Sequence, residues 1–242
     1  MTHQIQTPLV LVPGLMCNAQ VWQAMLAFLP TGTKTLIADH GNAADLSHMA
    51  ERLLAVAPAT FSIAGHSMGG RVAMEVARMA PERVQRIALI DTAYQPRALG
   101  DAGELERKRR YVLRNLALEQ GVRTMARTWV NDMVHPDRLS DATLIESIVA
   151  MFECQTAAIF SGQIEALLNR PDASEVLRSL KIPTLLAVGR QDSWANLAQH
   201  EAMEKLAPNA VLDVIEDAGH MAPMERPQAM GASLSRWLSR VA

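Results

Sequence analysis

The stretch Phe61-Ser62-Ile63-Ala64-Gly65-His66-Ser67-Met68-Gly69-Gly70-Arg71-Val72 decides how this chain is read. At its centre, Gly65-x-Ser67-x-Gly69 has the spacing of a nucleophile elbow, a sharp turn between a strand and a helix with serine at its tip. A serine hydroxyl is a weak nucleophile and must stand clear of the backbone, where a base and a substrate can both reach it. Glycine two residues before and two after removes the side chains that such a strained turn would crowd. The five-residue pattern alone is weak; its flanks give it weight. Phe61 to Ala64 reads as a short strand. Val72, Val76 and Met79 recur at helical spacing until Pro81 stops the helix.

Outward from the elbow, strand and helix signals alternate. Leu9 to Val12 is a continuous apolar run ending in Pro13-Gly14, as expected of a strand buried on both faces of a parallel sheet. Further strands are expected at Thr35 to Asp39, Val84 to Ile90, Thr184 to Gly189 after Pro183, and Val211 to Ile215. Helical periodicity covers residues 18 to 29, Ala43 to Val56 and Pro227 to Val241. This alternation predicts an α/β fold with a doubly wound, mainly parallel sheet of about six strands. Between Pro96 and Ala173 the strand signals stop, and Glu104 to Leu118, Gly121 to Val134 and Asp141 to Leu168 read as helices. The expected organisation is a core of residues 1–96 and 174–242, with 97–173 inserted as a helical cap that shapes a pocket over the sheet edge.

Composition narrows the classes. The chain has 242 residues, enough for one sizeable α/β domain with an insertion. Its net charge of -2 gives no footprint for nucleic acid or an anionic membrane surface. No apolar run approaches the roughly 18 residues of a membrane span, and the first residues lack the basic region of a signal peptide. The two cysteines, Cys17 and Cys154, form no metal spacing. A cytoplasmic setting is the simplest expectation, with a disulfide between the two cysteines left open.

A serine nucleophile needs a base, and the base an orienting acid. Of the seven histidines, His220 fits best. It lies in Asp217-Ala218-Gly219-His220-Met221, just after the last strand, at the sheet edge where open α/β folds bind ligands. His66 adjoins the serine and is expected to point elsewhere; His40 reads as structural; His135 and His200 read as solvent-facing; His3 is terminal. Asp192, in Gly189-Arg190-Gln191-Asp192, follows another strand end and completes the order serine, acid, histidine. Asp91 is a rival acid, and Asp217 more plausibly shapes the turn. The developing oxyanion needs two N–H donors; Met68, after the nucleophile, and Leu15, after Pro13-Gly14, are the candidates. Met16, Met68, Met221 and Met224 fall on loops around the serine, where thioethers either line an adaptable acyl pocket or simply pack. Trp194 stands two residues beyond Asp192, as a wall of the site or as core.

Taken together, these residues resemble the α/β-hydrolase superfamily. Gly14-Leu15-Met16-Cys17-Asn18-Ala19-Gln20-Val21-Trp22 and Asp217-Ala218-Gly219-His220 are similar to segments of its small capped carboxylesterases. That group includes pimeloyl-[acyl-carrier-protein] methyl ester esterases, enol-lactone hydrolases and cofactor-free haloperoxidases. The resemblance implies a serine hydrolase with no metal or organic cofactor, acting on a small or medium carboxylic ester. Enol-lactone hydrolysis, thioester hydrolysis and cofactor-free perhydrolysis use the same residues and stay open, as do acyl transfer and a ligand-binding or signalling role without turnover. The chain departs from the family in carrying Pro13 where a histidine is usual, and in starting only eight residues before the first strand, which implies a sheet shortened at its N-terminus. Serine at position 67 argues against dehalogenases and epoxide hydrolases, which use aspartate there. Glu106-Arg107-Lys108-Arg109-Arg110 opens a cap helix; by resemblance such a basic run can meet an acyl carrier protein, although a charge run more often makes a solvated face.

Overall fold

The computed structural model describes residues 7–240. His3, and Val241 at the expected end of the last helix, lie outside the described residues. Six parallel strands form one sheet: β1 (Leu9–Val12), β2 (Thr35–Ile37), β3 (Phe61–His66), β4 (Val84–Ile90), β5 (Thr184–Gly189) and β6 (Ala210–Ile215), in the order β2-β1-β3-β4-β5-β6. The chain steps from β1 out to the edge and returns to the other side of β1. The loops leaving β1 and β3 therefore diverge and open a crevice at the carboxyl ends of the strands. Val12 pairs with Gly65, so Pro13-Gly14 and His66-Ser67 leave the sheet side by side.

Every residue of β1, β3 and β5 is buried, which is why β1 reads as an unbroken apolar run and the other two are mainly apolar. A fully buried Leu, Val or Ile contributes about 1.5–3 kcal/mol, so the central strands anchor the fold. The edge strand β2 ends at Ile37 rather than at Asp39. Its partner β1 runs into Pro13, which has no N–H to continue the ladder.

Helices cover both faces. Helix α1 (Gln20–Leu26) is shorter than the 18–29 expected: the Asn18 side chain accepts the Gln20 amide at 2.8 Å, and i→i+3 bonds at Phe28 and Leu29 tighten the chain before Pro30. Helices α2 (Leu46–Val56) and α3 (Met68–Met79) pack together on the opposite face. Helix α3 is buried from Met68 to Ala77. Its two buried charges are satisfied: Glu75 accepts from Ser47 and Arg78, each at 2.6 Å, and Arg71 donates to Gln95 O at 2.6 Å.

Between β4 and β5 come α4 (Gly100–Gln120), α5 (Val122–Trp129), α6 (Ala142–Glu153), α7 (Ala157–Leu168) and α8 (Ser174–Ser179). The helix expected over Asp141 to Leu168 is two helices bent by 93°. Thr156 breaks it by turning extended and capping the Ile159 amide at 3.1 Å. The helix expected to reach Val134 stops at Trp129 and gives way to a 3₁₀ turn, Val130–Asp132. The segment leaves and rejoins the sheet at one place, where Ala173 N donates to Tyr94 O at 3.0 Å. Arg170 grips Glu106 through two bonds, at 2.6 and 2.9 Å. Burial pushes the Glu106 carboxyl up, but Arg170 and Arg110 outweigh it and hold it at about 2.

Three helices complete the chain: α9 (Leu197–Leu206), α10 (Ala222–Glu225) and α11 (Pro227–Leu238), with α11 against α1. Among the described residues, no single helix is long and apolar enough to cross a membrane. Cys17 and Cys154 are unpaired, and burial pushes the Cys17 thiol up to about 12.

Candidate active site

Ser67 stands at the tip of the turn from β3 to α3 with φ 55 and ψ -119, a conformation that L-residues seldom adopt. Strain of this kind costs about 1–3 kcal/mol and persists only where neighbours hold it. Here Ser67 N donates to Ile90 O at 2.9 Å, while Ser67 O accepts from Gly70 N at 2.9 Å and from Thr92 Oγ1 at 2.7 Å. The flanking glycines are required by space. A Cβ on Gly65 would stand 2.2 Å from Gly69 O, and one on Gly69 would stand 2.0 Å from Val12 O.

The side chain of Ser67 meets His220, from the loop between β6 and α10. Ser67 Oγ donates to His220 Nε2 at 2.8 Å, and His220 Nδ1 donates to Asp192 Oδ2, also at 2.8 Å. The other Asp192 oxygen accepts from the amides of Trp194 at 2.8 Å and Ala195 at 3.0 Å. Burial pushes the Asp192 carboxyl up, but His220 and these two amides outweigh it, and the net shift is downward. The structure thus joins Ser67, His220 and Asp192, which come from three separate strand ends, in one hydrogen-bonded chain.

The backbone around His220 is clamped. Gly219 N and Met221 N donate to Glu225 Oε1 at 2.8 and 3.2 Å, while His220 N donates to Met133 O at 2.6 Å. The second Glu225 oxygen accepts from His135 N at 2.7 Å. Glu225 therefore ties the histidine loop to the segment between β4 and β5. On the other side, His66 Nε2 donates to His220 O at 2.8 Å. Burial, together with the nearby His220, pushes the His66 imidazole down to about 3, so it stays neutral and serves as a fixed donor. His40 is buried too, and its Nε2 donates to Pro13 O at 2.9 Å.

His200 corrects the sequence reading. It is fully buried, with Nε2 accepting from Thr92 N at 3.4 Å and Nδ1 donating to Asn196 O at 3.2 Å. Its helix, α9, packs that face against β5. His135 is half-buried, and its Nδ1 accepts from Asp137 N at 3.1 Å.

Asp91, the rival acid, is fully buried, with Oδ1 accepting from Gly189 N at 2.8 Å. Burial and the Asp192 carboxylate push its pKa well above the ordinary 3.8. Its approach to His66 at 3.9 Å is no ion pair, because His66 is neutral. A raised folded-state pKa means that the native chain holds a proton the unfolded chain releases. The contribution of Asp91 to stability therefore falls as pH rises above about 4. Asp91→Asn keeps the acceptor for Gly189 and removes the charge. Urea unfolding at pH 4 and pH 8 should show the variant gaining on wild type as pH rises, with turnover at the site within about threefold of wild type. A collapse of turnover would make Asp91 the orienting acid.

Met68 follows the serine, and Leu15 follows Gly14 on the neighbouring loop. Met68 N–H is the first amide of α3, at the positive end of the helix dipole, and among the described residues neither it nor Leu15 N–H donates to a protein acceptor. Gly14 backs directly onto the elbow: a Cβ there would stand 3.1 Å from Ser67 Cβ. Trp194 is half-buried, with its ring 4.8 Å from that of His220 and stacked on Trp129 at 5.5 Å. Trp129 also packs against Phe152 and Phe160, each at 5.5 Å, so an aromatic cluster leads from the histidine into α5, α6 and α7. Met16, Met68 and Met221 are fully buried, and Met224 is half-buried against the same core.

The basic run on α4 is largely committed internally. Arg107 binds Glu104, Arg110 binds Glu106, and Arg114 stacks on Tyr111 at 3.8 Å. Lys108 and Arg109 remain as its outward-facing cations.

Comparison with known proteins agrees with this architecture. A model of the alpha/beta hydrolase family matches residues 9–232. A pimeloyl-[acyl-carrier protein] methyl ester esterase from Pectobacterium carotovorum is 29% identical over 244 residues, covering 92% of this chain and 91% of the relative. A thermophilic esterase from Thermogutta terrifontis superposes with a TM-score of 0.84 at 24% identity, covering 96% of this chain and 89% of that one. The enol-lactonase from Burkholderia xenovorans LB400 superposes with a TM-score of 0.84 at 20% identity, covering 99% and 94%. With six parallel strands in this order, a strained serine at the end of β3 and a family match running from β1 into α11, the chain belongs to the alpha/beta hydrolase family.

Proposed function

We propose that the protein is a serine hydrolase that cleaves a small or medium carboxylic ester through an acyl-enzyme on Ser67. One observation carries this reading: the chain of 2.8 Å bonds from Asp192 through His220 to a serine held on a strained turn. His220 takes the serine proton as Oγ attacks the ester carbonyl. Asp192 holds the Nδ1–H tautomer, so that Nε2 is free to accept, and stabilises the imidazolium that forms. The Met68 and Leu15 amides receive the oxyanion; in a comparable site one such donor is worth about 2.7–4 kcal/mol. The ester C–O bond then breaks, His220 returns the proton to the departing alcohol, and water releases the acid by the same steps.

In this reading residues 97–173 form a cap over the sheet edge, with Trp194 as one wall of the pocket and Met16 and Met221 supporting it from the core. The esterase name of the Pectobacterium relative favours ester substrates. A carrier-bound acyl group has less support, because Arg107 and Arg110 are already paired with Glu104 and Glu106. A reduced, cytoplasmic setting suits two unpaired cysteines.

The test is hydrolysis of 4-nitrophenyl esters from acetate to decanoate, together with titration by diethyl 4-nitrophenyl phosphate. Turnover is expected, with an optimum chain length that measures the pocket. The phosphate ester should release one 4-nitrophenolate per chain and leave a diethylphosphoryl group on the peptide containing Ser67. No turnover together with no adduct, or an adduct elsewhere, would overturn the reading.

A further inference from the structure

The loop that carries the Leu15 amide has an unusual form. Cys17 N donates to Gly14 O at 3.1 Å, so Leu15 and Met16 are the two central residues of a tight turn. Met16 has φ 62, whereas Leu15 is not among the non-glycine residues with positive φ. Negative followed by positive φ is the type II form, whose second central position favours glycine. Methionine is disfavoured there, and the ordinary alternative is the type I form, in which the Leu15–Met16 peptide is reversed. The reversal would swing Met16 N–H to the other side of the turn.

An outside group holds the disfavoured form. Met16 N donates to Gln163 Oε1 at 2.9 Å, a buried bond between residues 147 positions apart. Gln163 belongs to α7 and is 3% exposed, and Met16 is not exposed at all. Gly14 opens this turn and is backed onto Ser67 Cβ, so the turn that carries Leu15 N–H lies directly against the elbow.

We propose that Gln163 is a positioning residue for the oxyanion site: by accepting the Met16 amide it anchors the strained turn whose first central residue, Leu15, presents its N–H to the carbonyl attacked by Ser67. The inference rests on the proposed role of Leu15. It gives α7 a part in the chemical step in addition to covering the pocket. Loss of the acceptor should lower kcat and leave KM nearly unchanged, because the amide is engaged fully only when the oxyanion forms.

Two variants test this on the 4-nitrophenyl ester that wild type turns over best. Gln163→Met keeps the length and removes the oxygen. Gln163→Glu keeps an oxygen and adds a titrating charge one residue from the oxyanion donor. The methionine variant is expected to lose about 10- to 100-fold in kcat, with KM within threefold, and to be phosphorylated more slowly by diethyl 4-nitrophenyl phosphate by a similar factor. The glutamate variant should approach wild type on the acid side and fall away as its carboxyl ionises, a pH limb that wild type lacks. Should the methionine variant not fold, that limb alone decides. Wild-type kcat in Gln163→Met, or the same loss in both variants at every pH, would overturn the proposal. If wild type is labelled at Ser67 but both variants are labelled as fast, only the role of Gln163 fails. If wild type is not labelled, the hydrolase reading fails first.

Discussion

Ser67→Ala is expected to lower kcat on the best 4-nitrophenyl ester by at least about 10⁴-fold, and His220→Ala by a comparable factor. On the proposed mechanism either change removes the attack itself: without Oγ nothing bonds to the carbonyl, and without the imidazole the hydroxyl keeps its proton. The fold should survive the serine change, because the turn is held by backbone bonds to Ile90, Gly70 and Thr92 that do not use Oγ. Alanine also accepts the strained φ no worse than serine does. The double variant should be little slower than either single variant, since two members of one unit are lost only once. Residual activity would come from the oxyanion donors and binding. Full kinetics on the three variants decide the matter: losses that multiply would mean that Ser67 and His220 act separately, and a loss below tenfold at Ser67 would place the nucleophile elsewhere.

Asp192→Asn should cost about 10⁴-fold in kcat, the effect seen when an orienting aspartate is neutralised in a serine protease. The reason lies in how the carboxylate divides its oxygens. Oδ1 holds the Trp194 and Ala195 amides, so an asparagine would keep its carbonyl there and turn its NH₂ toward His220 Nδ1. Two donors cannot face each other. The imidazole would shift its proton to Nε2 and present N–H, rather than a lone pair, to Ser67. Stability gives an independent check with a definite sign. The folded-state pKa of Asp192 is lowered, so its contribution is present above the ordinary carboxylate pKa and is lost as pH falls through the folded value. The wild-type advantage over Asp192→Asn should therefore grow from acid to neutral pH, opposite to the trend for Asp91→Asn. Equal stability at every pH, with wild-type turnover, would remove Asp192 from the site.

The parts of this site that a reader of the sequence can find are those encoded locally. The elbow is legible because sterics force glycine at positions 65 and 69. His220 and Asp192 are legible because each follows a strand that ends at the same sheet edge. Contacts made across the fold are not legible. Gln163 sits in an apolar helix and meets Met16 147 residues away; Glu225 meets His135 90 residues away. Nothing adjacent in the sequence marks either. His200 misled because its helix carries many polar residues, yet its ring is drawn under the end of β4 by Thr92, 108 residues earlier. The break at Thr156 hid in a run whose apolar content continues on both sides, with only the capping hydroxyl to signal it.

The bond between Ser67 and His220 spans 153 positions, and the loop that carries the histidine leaves β6, the edge strand that pairs with β5 alone. During synthesis Ser67, its strained turn and the first four strands leave the ribosome long before His220. Domains fold as units while the chain grows from its N-terminus, and pairings between distant residues form slowly. On the proposed mechanism, a nascent chain therefore carries an inert serine until His220 has been made and placed. Reactivity toward a phosphate ester should switch on only when β6 docks onto β5, so the appearance of label times the closing step of assembly.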